Sequence, residues 1–274
     1  MRQWAGTIGT LLLLLAPTAC GSDDGGSSAA PTPIPPLALS ATATRSSLFD
    51  SQRTFRLELT NDGDDAVTVT SVQLASPLFA TVPPSARDTQ LAPGRRLLLP
   101  VPYGDSVCPA SGESELLVEV TGVESSLPLA QAPEGVIEAL HEVECQEAAV
   151  RAAADLAFAD LVATGPRSVA GDLAVTARGD TEVTVDGIRG NIVFGVRVAA
   201  GPDLATVAGA GDDARIPVEL VVDRCDVHAL IESKRTFKFP LEVRVDGGPT
   251  ALVVLEALGP TRDVLRGLIQ ACIG

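Results

Sequence analysis

The feature that most constrains this 274-residue chain is a set of landmarks that occurs twice in the same order. Asp64-Asp65-Ala66-Val67-Thr68-Val69, followed by Val72 and Phe79, returns as Asp180-Thr181-Glu182-Val183-Thr184-Val185, followed by Ile188 and Phe194. The offset is 116, slipping to 115. Leu99-Pro100-Val101 and Ile216-Pro217-Val218 match at 117, as do Cys108 and Cys225. Leu116-Leu117-Val118-Glu119-Val120-Thr121-Gly122 then aligns with Leu241-Glu242-Val243-Arg244-Val245-Asp246-Gly247 at 125, and 133–145 with 260–272 at 127. Landmarks kept in one order over such a length mark a duplicated folding unit. The expected units are 37–147 and 148–274.

Within each unit the hydrophobic pattern is that of strands. Phe55-Arg56-Leu57-Glu58-Leu59 and Val67-Thr68-Val69 alternate apolar with polar residues, and Asn61-Asp62-Gly63 between them is hairpin chemistry. Val243-Arg244-Val245, Gly247-Gly248-Pro249 and 252–255 read as strand, turn and strand. Each unit then closes with a helix: Val264, Leu265, Leu268 and Ile269 share one face, as do Val136, Ile137 and Leu140. Pro133 and Pro260 suit the helix starts. In 146–162 the alanine content favours helix, while the repeat asks for a strand near Leu156-Ala157-Phe158, which is the expectation adopted. The expected fold is mainly β: two tandem Ig-like β-sandwich domains, each closed by a short C-terminal helix stapled by a disulfide.

Of five cysteines, Cys20 stands apart from the repeat. The other four can pair in three ways. The duplication selects Cys108 with Cys145 and Cys225 with Cys272, because each unit then ties its last helix to the same point of its sheet. A bridge closing a loop of roughly 40 to 50 residues contributes about 4 kcal/mol in the chain-entropy account.

The N-terminus has the layout of a cleaved export signal: Arg2, an apolar stretch over 8–16, then small residues. Ala16-Pro17-Thr18-Ala19-Cys20-Gly21 resembles the lipobox of bacterial lipoproteins, with Pro17 where that pattern usually has leucine. The resemblance implies that 1–19 is a signal peptide and that Cys20, lipidated on sulfur, becomes the new N-terminus. Each buried acyl methylene contributes roughly 0.8 kcal/mol, so two or more chains hold such a protein at a membrane. The expected location is therefore lipid-anchored on the extracytoplasmic face of the cell membrane. The stretch that follows, to residue 36, is Gly, Ser, Asp, Ala and Pro apart from Thr32 and Ile34, has no hydrophobic period, and reads as a disordered tether over 20–36.

Charge narrows the partners. Removal of 1–19 takes Arg2 and no acid, leaving 19 cations against 35 acidic residues. Such a polyanion repels phosphate backbones and anionic headgroups, which argues against nucleic-acid binding and electrostatic membrane docking. Aromatics make up 3% of the chain and the single tryptophan, Trp4, lies in the leader, so stacking platforms for sugars or unpaired bases are not expected.

One stretch sets the second unit apart. Between Cys225 and Thr236 the repeat offset grows from 117 to 125, an eight-residue insertion that carries Asp226, His228, Glu232, Lys234 and Arg235. It resembles a Cys-Asp-x-His-Ala, then Glu-x-Lys, stretch of secreted or lipid-anchored actinobacterial proteins; no activity comes with the resemblance. The residues admit a candidate binding loop, in which these five side chains meet a partner. They also admit a capped turn, with Asp226 at the N-terminus of a short helix starting near Val227. Asp226, His228 and Glu232 are ligand types, but no second histidine is near in sequence and Cys225 is engaged by the disulfide, so no metal and no cofactor is expected. The sequence holds no Gly-x-Ser-x-Gly elbow, no His-Glu-x-x-His and no phosphate-cradling loop. The expectation is a non-enzymatic binding or scaffolding module with an envelope protein partner; the alternative is an envelope hydrolase or metal-handling protein with its site near His228.

Overall fold

The computed structural model describes residues 37–44, 53–198, 203–233 and 235–273, without the side chains of Val227, Ile231 and Glu232. The expected signal peptide, Cys20 and the tether lie outside the described residues.

The first half carries β1 (Leu39–Thr44), β2 (Thr54–Asn61), β3 (Val67–Ala75), β4 (Ser85–Leu91), β5 (Arg96–Pro102), β6 (Glu115–Val120) and β7 (Val123–Ala132). They form one sheet in the order β4-β3-β6-β7-β1-β2-β5. Two separate layers were expected, and β7 is the reason for one. Its stretch 123–128 runs antiparallel to β6, then 129–132 runs parallel to β1. Pro128, which has no N–H to donate, sits where the strand changes partners. The sheet curls until its two ends approach: Arg87 Nη2 on β4 donates to the Pro100 carbonyl on β5 at 2.9 Å. Pro100 and Pro102 suit β5 to its edge position, because a missing donor costs nothing on an unpaired side. The alternation read on β2 is real: Phe55, Leu57 and Leu59 are fully buried, and each such side chain contributes about 1.5 to 3 kcal/mol.

The second half carries β8 (Ala154–Gly165), β9 (Ser168–Ala177), β10 (Val183–Ile188), β11 (Phe194–Val198), β12 (Ala205–Val207), β13 (Asp213–Val222), β14 (Lys238–Val245) and β15 (Ala251–Glu256). Two four-stranded sheets, β12-β10-β14-β15 and β11-β13-β9-β8, enclose one core. Phe158 from one meets Phe239 from the other edge to face at 5.1 Å. The pairing pattern follows that of the first half: β12-β10-β14-β15 matches β4-β3-β6-β7, and β13-β9-β8 matches β5-β2-β1. Two differences stand out among the described residues. β11 adds an edge where the first half has a single bridge, Phe79 to Ser106, and β8 and β15 do not pair as β1 and β7 do.

Asn61-Asp62-Gly63 does not make the expected hairpin, since β2 pairs with β1 and β5 while β3 pairs with β4 and β6. The turn is tight because Asn61, 1% exposed, donates to the carbonyls of Asp65 and Leu91 and accepts from Gly63 N–H. These local bonds serve a connection between two non-adjacent strands of one sheet as well as a hairpin, so turn chemistry alone could not tell the two apart.

Helix α1 (Val136–Ala153) joins the halves. Val136 and Ile137 sit in the first core, Val150 and Ala153 in the second. It starts where Ile137 N–H donates to Gln131 Oε1 at 2.7 Å and stops at Ala154, whose extended backbone already belongs to β8. Both signals in 146–162 therefore hold in succession, helix to Ala153 and strand from Ala154, and the expected break at 147/148 falls inside an unbroken helix. Short α2 (Val227–Glu232) precedes β14, and α3 (Gly259–Ile273) closes the chain with Leu265 and Leu268 buried. No helix among the described residues is long and apolar enough to cross a membrane. Cys108–Cys145 and Cys225–Cys272 are bridged, each with Cα atoms 5.7 Å apart.

Candidate functional site

The 225–237 insertion builds α2. Asp226 accepts from Ala229 N–H at 2.9 Å, which satisfies one donor of the first turn, and Arg224 Nε reaches its other oxygen at 3.2 Å. That backbone donor, assisted by Arg224, holds the Asp226 carboxyl below its ordinary range. Ala229 is 2% exposed, and Leu230 and Phe237 pack on the second core. Asn191 Nδ2 fixes the loop's exit by donating to the carbonyls of Thr236 (2.9 Å) and Lys238 (3.2 Å), while its Oδ1 accepts from Val193 and Phe194. The insertion thus covers part of the core and contains the capped turn, with Asp226 at its start. His228 and Arg235 are exposed; Lys234 and the Glu232 side chain lie outside the described residues.

A second polar assembly was not anticipated. It lies in a cleft of about 370 Å³ between α1 and the chain at one end of the β2–β5 pair, lined by Arg53, Asp105, Ser106, Glu144, Glu147 and Arg151. Glu144 accepts from Arg53 Nη2 at 2.6 Å, Ser106 Oγ at 2.6 Å and Tyr103 Oη at 3.1 Å. Arg53 also donates to the Gly104 carbonyl at 2.7 Å, pairs with Asp105 at 3.1 Å and lies 5.4 Å from the Tyr103 ring centre. A carboxylate with three donors and a guanidinium with three acceptor groups make a clamp rather than a poised general base. Next along α1, His141 is 9% exposed, with Nε2 2.8 Å from the Val107 carbonyl and 3.2 Å from Cys145 Sγ. The Cys108–Cys145 bridge is the signal that could have located this assembly, since joining those cysteines places 104–107 beside 141–144.

A third network ties β14 to β10. Arg244 grips Asp186 with two of its nitrogens, Nη2 at 2.7 Å and Nε at 2.8 Å, and Nη2 also pairs with Asp203. The hydrogen bonds from Arg244 hold the Asp186 carboxyl below its ordinary range, and Asp186 in turn raises Arg244.

No protein-family model and no curated protein matches this chain. Among solved structures, the YadV chaperone is 12% identical over 80% of this chain and 100% of its own, with a TM-score of 0.21. The E. coli chaperone DraB is 12% identical over 80% and 97%, at 0.23. The secreted serine protease VesC from Vibrio cholerae is 14% identical over 69% and 47%, at 0.22. Superpositions at that level carry no argument about this chain.

Proposed function

We propose that this chain is a lipid-anchored cell-envelope protein whose tandem Ig-like sandwich units act as a non-enzymatic binding or scaffolding module. The observation that carries the reading is α1, whose two ends are buried in two different cores. A helix shared in this way makes a stiff body that presents surfaces, and the polar groups of the cleft are spent on holding it there. The lipobox-like stretch at Cys20 supplies the anchor, the acidic surface keeps the body off anionic headgroups, and an envelope protein is the partner class that remains.

Two measurements test the reading. Cys20→Ala should move the protein from the detergent phase to the aqueous phase with its circular dichroism unchanged; a variant that stays with detergent overturns the anchor. Cross-linking in the native membrane should yield a discrete protein adduct, and its absence at saturating cross-linker would count against a scaffold.

A further inference from the structure

We propose that Cys108, Cys145 and His141 become a zinc site when the disulfide between the two cysteines is reduced. The metal-binding atoms of the three residues all lie within 4.8 Å of one another. His141 and Cys145 stand one turn apart on α1. In a tetrahedral site, with Zn–S about 2.3 Å and Zn–N about 2.0 Å, neighbouring ligand atoms sit roughly 3.3 to 3.8 Å apart. The Nε2 to Sγ distance of 3.2 Å is already close to that, so reduction has only to let the two sulfurs part. The imidazole is set in advance by its burial and by the Phe79 ring, edge to face at 5.7 Å.

The duplication gives this cluster its contrast. At the repeat offset of 127, His141 corresponds to Leu268, which is buried in the second core. The first half therefore carries a ligand where the second carries packing, and among the described residues no third ligand joins Cys225 and Cys272. Metal access is open, since Cys108 is exposed and Val107 is 45% exposed. On binding, His141 Nε2 turns from the Val107 carbonyl to the metal with the ring N–H on Nδ1, and the carbonyl passes to water. Two thiolates and one imidazole leave the fourth tetrahedral position for a water molecule.

The chemistry balances with a phosphine reductant. The phosphine takes oxygen from water to give its oxide, and the cystine gains two electrons and two protons to become two thiols. Zn²⁺ then displaces the two thiol protons. While the bridge stands the site is silent, and it opens only where a reductant reaches it. The inference is independent of the proposed envelope role.

The test is a Co²⁺ titration of the reduced full chain carrying Cys20→Ser, under argon, with Zn²⁺ as competitor. One Co²⁺ per chain, showing thiolate charge-transfer and tetrahedral d–d bands that Zn²⁺ abolishes, is expected; the oxidised chain should show none. His141→Asn, which removes the third ligand, should weaken binding by at least what loss of an outer-shell partner costs, about tenfold. Alkylation of the Zn²⁺-loaded chain should spare Cys108 and Cys145 while labelling Cys225 and Cys272. Absent bands, bands unchanged in His141→Asn, the reverse alkylation pattern, or loss of the fold on reduction in excess Zn²⁺ would each overturn the proposal.

Discussion

Arg151 on α1 donates to the main-chain carbonyl of Val254 on β15 at 3.1 Å, while Glu147 one turn earlier holds the same guanidinium at 2.6 Å. A helix that starts on the first core is thereby fastened to the edge of a sheet in the second. The halves share an element, so neither can lose its fold without exposing apolar surface of the other.

Unfolding should therefore be a single transition. Tyr103, the one tyrosine of the chain, lies in the first core and reports that half in the near-ultraviolet, whereas backbone circular dichroism reports both. The two signals should give the same urea midpoint, and Ile137→Ala, a buried truncation costing about 2 to 5 kcal/mol, should move both together. Two separate midpoints would mean that the halves melt independently.

Removing Glu144 should be costly out of proportion to its size. Glu144→Ala leaves Arg53, Ser106 and Tyr103 without a shared acceptor and should destabilise the chain by about 2 to 3 kcal/mol. Glu144→Gln keeps an acceptor oxygen and the side-chain shape, so its loss should be smaller. Equal stability of Glu144→Ala and the parent in urea would show that the clamp contributes nothing.

The bidentate contact of Arg244 with Asp186 predicts a particular response to acid. Asp186 is held below its ordinary value of 3.8, so the folded chain binds fewer protons at this group than the unfolded chain. Its contribution is present above the ordinary value and is lost as pH falls through the lowered folded value. Asp186→Asn should be less stable than the parent at pH 7, and the gap should narrow as pH is taken from about 5 to about 2. A gap constant across that range would rule the coupling out.

How much of this was legible beforehand differs from element to element. The alternation on β2, the two helix faces, the disulfide pairing and the Asp226 cap depend on residues close in sequence or tied by the repeat. The Arg53–Glu144 clamp joins residues 91 apart with no periodicity to announce it, and only the neighbouring disulfide hinted at the meeting. The crossing of β7 was hidden for another reason: a strand looks the same in sequence whichever neighbour it pairs with. The 146–162 segment defeated a choice between helix and strand because it is one and then the other.

Replacing 226–236 with a Gly/Ser turn should lower stability, contrary to what loop length alone suggests. The exchange removes buried Ala229, takes part-buried Leu230 off the second core and takes the carbonyl of Thr236 from Asn191, a loss of roughly 2 to 3 kcal/mol. Measured by urea midpoint, an unchanged stability would restore the view of 226–236 as a dispensable loop open to a partner.

The direct step from Ala153 in α1 to Ala154 in β8 leaves no slack between the halves. In mechanical terms α1, roughly 27 Å long at about 1.5 Å per residue, is a strut and not a hinge. A pull or twist applied to the first half reaches the second as torque along that strut, and the spacing between surfaces on the two halves is a fixed gauge against which anything that grips both must be cut to length.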